Sequence, residues 1–422
     1  MSTQARPTQL RFTHPAFLTA FFRYAFRGSK QYYLWLGFLV SFIPPLLWGA
    51  HRQFTLGMAV TGLSDQVSWG IYIANFVFLV GVAAAAVTII FPAYVYQHKA
   101  LKKVAVLGEI LAITAVCMCI LFILFHMGRP DRLWHMLPAL GVFNFPSAML
   151  TWDTLVLIIY FLLNLCAAYY YLYTKYRGGE LNKRFYLPLV FVSIFWAITI
   201  HTVTAFLLNT LPARPMWHHS IMPIRFIATA FVAGPALMII VFLVIRNKTR
   251  LWIENDAIDL LSTIVVACLG LSLFLMLSEI VTELYHATEH SEGLRYLMFG
   301  HQGFNELVPW FWFSLLAMLV GWFALMFPRI RKNYSVLPVI CLAVFMAIWI
   351  EKGLGLIIPA SIPSPIGEYS HYSPSLVEVV NCLGSWALGI FMLTILTKGA
   401  TGVITGAVQW ENSVPKGEHS HA

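Results

Sequence analysis

The sequence predicts an all-α polytopic membrane protein with ten transmembrane helices, and three observations carry that prediction. Of its 422 residues, 59% are hydrophobic and only 11% charged, with a mean hydropathy of +0.75, whereas a soluble domain carries about 25% charge. Apolar runs of about 20 residues or more, the length that crosses a bilayer as a helix, recur ten times. The runs are continuous rather than alternating, which favours helices over a β-barrel.

The runs, spans 1 to 10, fall at residues 31–50, 68–92, 103–127, 148–173, 185–209, 222–245, 257–285, 306–327, 335–358 and 375–397. They divide the chain into an N-terminal interfacial segment (1–30), span 1 with its outer loop (31–67), a first four-span unit (68–210) and a second (211–358). An outer loop with span 10 (359–397) and a polar tail (398–422) follow.

The formal net charge of +9 is distributed unevenly. With alternate loops assigned to opposite sides, 20 of the 27 Lys and Arg residues fall on one side and 7 on the other. The positive-inside rule then places both termini in the cytoplasm, and the excess is a topology signal, not a polyanion-binding patch. No cleavable signal peptide is apparent in the first 30 residues. The six cysteines all lie inside spans without a metal or redox spacing. They read as packing residues, so the chain is expected to bind no iron–sulfur cluster; a haem would need paired axial histidines, for which only His126 and His201 are placed, and none is expected.

Residues 12–28 hold five phenylalanines and two arginines, the composition of a short helix lying in the cytoplasmic interface. Pro44-Pro45 is expected to kink the outer turn of span 1. Span 2 opens with Trp69-Gly70 and carries Asn75 inside the membrane, while Ala83–Ala86 invites a close neighbour. Span 3 carries Glu109 toward the cytoplasm and His126 at the outer end; span 4 begins with Trp152 and Asp153 and leaves through Tyr169, Tyr170, Tyr171 and Tyr173, an aromatic belt. His201 lies in the outer half of span 5. Glu279, Glu283 and His286 share one face of span 7 by their i, i+4, i+7 spacing, and Glu351-Lys352 ends span 9 as a local ion pair. Trp69–Asn75 aligns weakly with Pro223–Thr229. The chain is therefore read as a parallel repeat, with spans 2–5 and 6–9 forming two four-helix bundles and spans 1 and 10 peripheral.

The stretch from His126 to Asp153 concentrates the chemistry. It sets two histidines, two arginines, two aspartates and two tryptophans between two membrane segments, where ionisable groups are expensive and functional. Most of the remaining titratable groups of the spans also crowd the outer half, Glu109 being the clearest exception, whereas a transporter concentrates them near the midplane. Reducing a quinone takes two electrons and two protons, an apolar slot, a hydrogen-bond donor and a proton carrier. Histidine and a desolvated carboxylate supply the last two. His126 and Asp153 lie on adjacent antiparallel helices within about two turns, roughly 8–10 Å, and can flank one ligand. Arg129 and Arg132 can pair with Asp131 and Asp153. The competing reading is structural: Gly128-Arg129-Pro130 as a helix terminator and Pro146-Ser147 as a cap.

His126-Met127-Gly128-Arg129-Pro130-Asp131-Arg132-Leu133-Trp134, followed by Asn144, Ser147, Met149 and Trp152, resembles the signature of the NrfD/polysulfide-reductase membrane subunits, with Met127 where leucine is usual. The Trp69-Gly70 opening of span 2 and the ten-span layout are similar to the long branch of that family. The resemblance implies a quinone-interacting subunit of a bacterial inner-membrane complex. It is most similar to the membrane subunit of the menaquinone reductase complex of sulfate-reducing bacteria, with alternative complex III and a sulfite-reductase-linked complex as close competitors. In the menaquinone reductase, a multihaem cytochrome c, a molybdopterin-oxidoreductase-like subunit and a periplasmic four-cluster iron–sulfur subunit deliver electrons to menaquinone. The resemblance places His126 and Asp153 at the quinone site, in a pocket with Arg129, Asp131, Trp134, Trp152, Asn75 and Trp69. Glu109, Glu279, Glu283, His286 and His201 are then proton-path candidates. The alternatives are a membrane anchor, an ion-translocating subunit without quinone chemistry, and a cytochrome using His126 and His201.

Overall fold

The computed structural model describes residues 13–410, apart from 138, 287–288, 302 and 365–366; the expectations for residues 1–12 and 411–422 lie outside these. Ten helical stretches are long and apolar enough to cross a membrane, and no strand occurs among the described residues. Helix α1 (Thr13–Ala25) precedes span 1, which is two helices, α2 (Lys30–Val40) and α3 (Ile43–Leu56). Span 2 is α4 (Ile71–Ala84) and α5 (Val87–Tyr94). Spans 3 to 7 are α6 (Lys99–His126), α7 (Met149–Tyr176), α8 (Lys183–Asn209), α9 (Met222–Lys248) and α10 (Asn255–Tyr285). After α11 (Glu289–Phe299) come span 8, α12 (Val308–Met326), and the short α13 (Pro328–Arg331). Span 9 is α14 (Leu337–Trp349), a π-helical turn at Ile350–Leu354 and α15 (Gly355–Ile357), reaching Ser361; span 10 is α16 (Leu376–Ile404).

Two boundaries differ from expectation for physical reasons. Pro44 and Pro45 begin α3 instead of ending the span, because proline is tolerated in the first turn, where its missing N–H has no helical partner. The break therefore falls in mid-span. Span 10 runs past Thr397 to Ile404 with Gly399 to Val403 buried, so the first residues of the expected polar tail are packed helix: Gly399 and Gly402 make room for Phe21 and Tyr24 of α1. Helix α11, in the loop after α10, is an element the run lengths do not predict, since its sequence lacks a long apolar run.

Helices α4, α6, α7 and α8 close one ring of contacts, and α9, α10, α12 and α14 close a second in the same order. The rings meet where α9 packs on α4 and α8, and where the π-helical turn packs on α4. Helix α4 is apolar on every side and buried along almost its whole length, as a helix packed on all faces must be. Two small residues bring the rings together. Gly234 of α9 lies against Ala85, and a Cβ on Gly353 would stand 3.2 Å from the Ala74 carbonyl oxygen. Helices α3 and α16 pair beside α6, and α1 lies on α16, so spans 1 and 10 are peripheral to the bundles. On α1, Phe17 packs among Tyr169, Tyr173 and Tyr176, while Leu18 and Phe22, and Phe26 just after the helix, are exposed. Of the tyrosine belt, Tyr171 is buried in the bundle.

Candidate functional site

The loop 127–148 forms a rim over the first bundle, between the end of α6 and the start of α7. Helix α6 ends at His126, and the chain turns out through Gly128 at φ 70°, a left-handed conformation that glycine adopts without penalty. Helix α7 begins at Met149, so Asp153 sits one turn inside it. Asp153 is 1% exposed. Its Oδ1 accepts a 2.6 Å hydrogen bond from Thr204 of α8, and its Oδ2 has no partner. Asp153 neighbours Cys119, seven residues and about two helical turns before His126. His126 is half-buried and its Nδ1 is likewise without a partner. Such buried groups keep an unmet hydrogen-bonding capacity, which is what a ligand with two carbonyl oxygens needs.

The rim residues divide. Arg129 grips Asp131 with two hydrogen bonds of 3.0 and 2.9 Å, both side chains exposed, and the guanidinium holds the Asp131 carboxyl below its usual range. No ion pair joins Arg132 or Arg129 to Asp153 among the described residues; that expected pairing is corrected, since Asp153 points into the bundle toward Thr204 and Arg129 outward. Trp152 donates from Nε1 to the Pro146 carbonyl at 2.8 Å and packs on Phe145, pinning the rim. Trp134 is exposed, edge-on to His135. Trp69 stacks on Trp217 at 5.2 Å, at the seam between the bundles. Asn75 is a packing hub instead of a pocket residue. Its Oδ1 accepts from Trp349 and Trp386 at 2.9 and 2.8 Å, and its Nδ2 donates to the Ile71 carbonyl and to Cys382 Sγ, leaving nothing for a ligand.

Toward the basic face, Glu109 is 1% exposed. Its Oε1 accepts from Tyr186 at 3.2 Å, and the Tyr186 and Tyr94 hydroxyls lie 3.0 Å apart. Lys102 covers the Tyr94 ring at 5.6 Å. This is a polar file from the end of α6 into the first bundle.

The second bundle holds a buried charge cluster. Arg225 of α9, 6% exposed, binds Glu279 of α10 and Glu351 of the π-helical turn. Glu351 Oε2 is unpartnered. The expected Glu351–Lys352 ion pair is absent among the described residues: neighbours one apart on a helix face different ways, and Lys352 Nζ stands instead 4.0 Å from the centre of the Phe226 ring. His219 lies 3.7 Å from Glu279, and burial pushes its proton affinity down while Glu279 opposes the shift. Of the residues expected to share one face of α10, Glu279 is held by Arg225, and His286 caps the helix and is exposed. Sequence reasoning did not assign roles to Thr204, Arg225 and Trp217, and gave Glu351 and Lys352 only a pairing with each other. A charged pair inside an apolar run was the available signal for two of them; Thr204 and Trp217 offered none.

Two helical rings, ten crossings and titratable groups crowded near one end define a multi-pass integral membrane protein with a polar site at a bundle mouth. The family model "Polysulphide reductase, NrfD" matches residues 59–362, both rings together, and the chain belongs to that family. It is similar to a selenate reductase subunit of Mesobacillus selenatarsenatis, 22% identical over 383 residues, covering 80% of this chain and 87% of that protein. A putative dimethyl sulfoxide reductase membrane subunit of Halobacterium salinarum is 24% identical over 404 residues, 85% of this chain and 89% of the relative. An Hdr-like menaquinol oxidoreductase integral membrane subunit of Archaeoglobus fulgidus is 26% identical over 182 residues, 43% of each.

Proposed function

We propose that this chain is the quinone-interacting membrane subunit of a respiratory oxidoreductase complex, exchanging electrons between a periplasmic iron–sulfur subunit and menaquinone at the mouth of the first bundle. The observation that carries the reading is the pair of unmet groups there, Asp153 Oδ2 and His126 Nδ1, at the end of the bundle nearest the rim. The relatives are named as subunits of reductases or of a menaquinol oxidoreductase, which supports a role within a complex. A menaquinone bound there supplies the two-electron, two-proton chemistry. His126 holds one end of the ligand by a hydrogen bond. Asp153 holds or releases a proton at Oδ2, and the Thr204 hydroxyl fixes the carboxylate's orientation. Trp152 and the Arg129–Asp131 clamp shape the rim, where the electron-transferring partner docks. The finer partner set follows the resemblance: a molybdopterin-oxidoreductase-like subunit and a multihaem cytochrome c behind the iron–sulfur protein, in the bacterial inner membrane with both termini cytoplasmic. The Glu109–Tyr186–Tyr94 file is the route for proton uptake from the cytoplasm, and with it turnover is electrogenic.

An ion-translocating subunit without quinone chemistry is the second reading, favoured by the buried charge cluster of the second bundle. In the assembled complex reconstituted into liposomes, Asp153→Asn and His126→Ala separate the two. Loss of a positioned proton carrier is worth about 10²- to 10⁴-fold in rate, so quinone turnover falls by that order while the partners stay bound. Normal turnover in a fully assembled Asp153→Asn complex removes the site, and turnover without a membrane potential removes the proton route.

A further inference from the structure

The seam between the two bundles contains two polar groups that the proposed reaction does not yet use. Lys352 and His201 are 4% and 2% exposed. Lys352 Nζ and His201 Nδ1 both lack hydrogen-bond partners. Both line one small cavity with Phe226, Thr229 and Gly81, of a size for about one water molecule. The two come from the fourth span of each bundle, α8 and span 9. One turn beyond His201 on α8, Thr204 holds Asp153. On the other side, Lys352 adjoins Glu351, which with Glu279 is held by Arg225, and Glu279 lies near the half-buried His219. Gly81 and Gly353 keep the backbones close enough at the seam for side chains of two bundles to share one cavity.

We infer that this cavity is a water site through which Lys352 exchanges a proton with His201, making the second bundle's charge cluster a proton reservoir for the Asp153 site. A buried ammonium with no acceptor is strongly disfavoured, and π-face contact with Phe226 replaces its lost hydration only in part. One water accepts from the Lys352 ammonium and donates to the His201 ring. Lys352 is then the neutral amine and His201 the imidazolium; His201 gives its proton to the Asp153 site, one turn along α8, and a proton taken up at His219, beside Glu279, returns to Lys352 through the Glu351–Glu279 cluster, which restores the start. No bond other than N–H and O–H changes, and charge is conserved. Lys352 and His201 touch no quinone in this scheme and are positioning and relay residues.

The inference rests on the quinone-site reading, so the test separates the two. Reduction of 2,3-dimethyl-1,4-naphthoquinone by the assembled complex, with electrons supplied through its partner subunits, is measured in H₂O and D₂O for Lys352→Met, His201→Asn and Asp153→Asn, after a check that every partner is retained. Lys352→Met and His201→Asn are expected to lower kcat about tenfold or more at unchanged KM, and to raise the solvent isotope effect to about 3. Either relay variant suffices if the other fails to assemble. A Lys352→Met or His201→Asn complex with wild-type kcat and isotope effect overturns the relay, and an equal loss without a change in isotope effect does so too, since it marks a structural role. If Asp153→Asn is also without effect, the quinone site itself falls; if only Asp153→Asn is impaired, the relay alone falls.

Discussion

Replacing Arg225 with methionine tests whether the second bundle is held by charge. In the native structure one guanidinium serves two carboxylates from different elements, Glu279 of α10 and Glu351 of the π-helical turn. All three side chains are largely buried. Methionine fills most of the volume but leaves both carboxylates without their cation, with one oxygen of Glu351 already unpartnered. Breaking a buried pair by removing one partner costs about 3–5 kcal/mol. The loss should be near that figure, because protonation of one acid relieves part of the stranded charge. Removing the acids as well restores neutrality: a buried ion cluster replaced by neutral groups of similar volume is close to neutral in energy. Arg225→Met combined with Glu279→Gln and Glu351→Gln should therefore recover most of the stability. Equilibrium unfolding in mixed micelles with rising sodium dodecyl sulfate, followed by tryptophan fluorescence, reads both. A single variant that loses less than about 1 kcal/mol, or a triple variant less stable than the single one, would refute the charge-cluster account.

Two further outcomes follow from the geometry. Asn75→Ala orphans the indole N–H groups of Trp349 and Trp386, each at about 1–3 kcal/mol. It should destabilise the seam in the same unfolding assay without changing the KM for quinone, and a raised KM would return Asn75 to the pocket. His219 has its proton affinity pushed down by burial, so the unfolded loop binds a proton first as pH falls. Its contribution is complete above about pH 6.5, the usual histidine value, and declines below it. Hydrogen exchange of the loop 210–221 should speed up between about pH 7.5 and 5.5 after correction for intrinsic rates, and His219→Asn should abolish the change. Slower exchange on acidification would mean that the Glu279 contact outweighs burial.

The legibility of the sequence follows the range of the interactions involved. Ten crossings were readable because bilayer thickness imposes a run length that any chain must meet locally, and the observed spans lie within a few residues of the expected ones except where a proline pair began a helix or small residues let α16 continue. The depth of Asp153 and Glu109 inside their helices was readable from position alone. What those groups touch was not. Thr204 lies 51 positions from Asp153 and Glu351 lies 126 from Arg225, and no periodicity links such pairs.

The sequence by itself determined the solvent, the number of crossings, the rim motif between α6 and α7, and with it the family. These rest on composition and on contiguous residues. The tertiary structure alone decided that Asn75 is a hub between tryptophans, that Glu279 is held by Arg225 and not free along α10, and that Lys352 and His201 meet across a seam. The reason is physical. In lipid, burying apolar surface does not choose between helix partners, so close packing at small residues and polar groups seeking partners set the arrangement. Those partners are far apart in the chain. The stretch from His126 to Asp153 therefore marked the candidate site, and only the packing of α7 on α8 and of α9 on α4 set which buried polar groups stand around it.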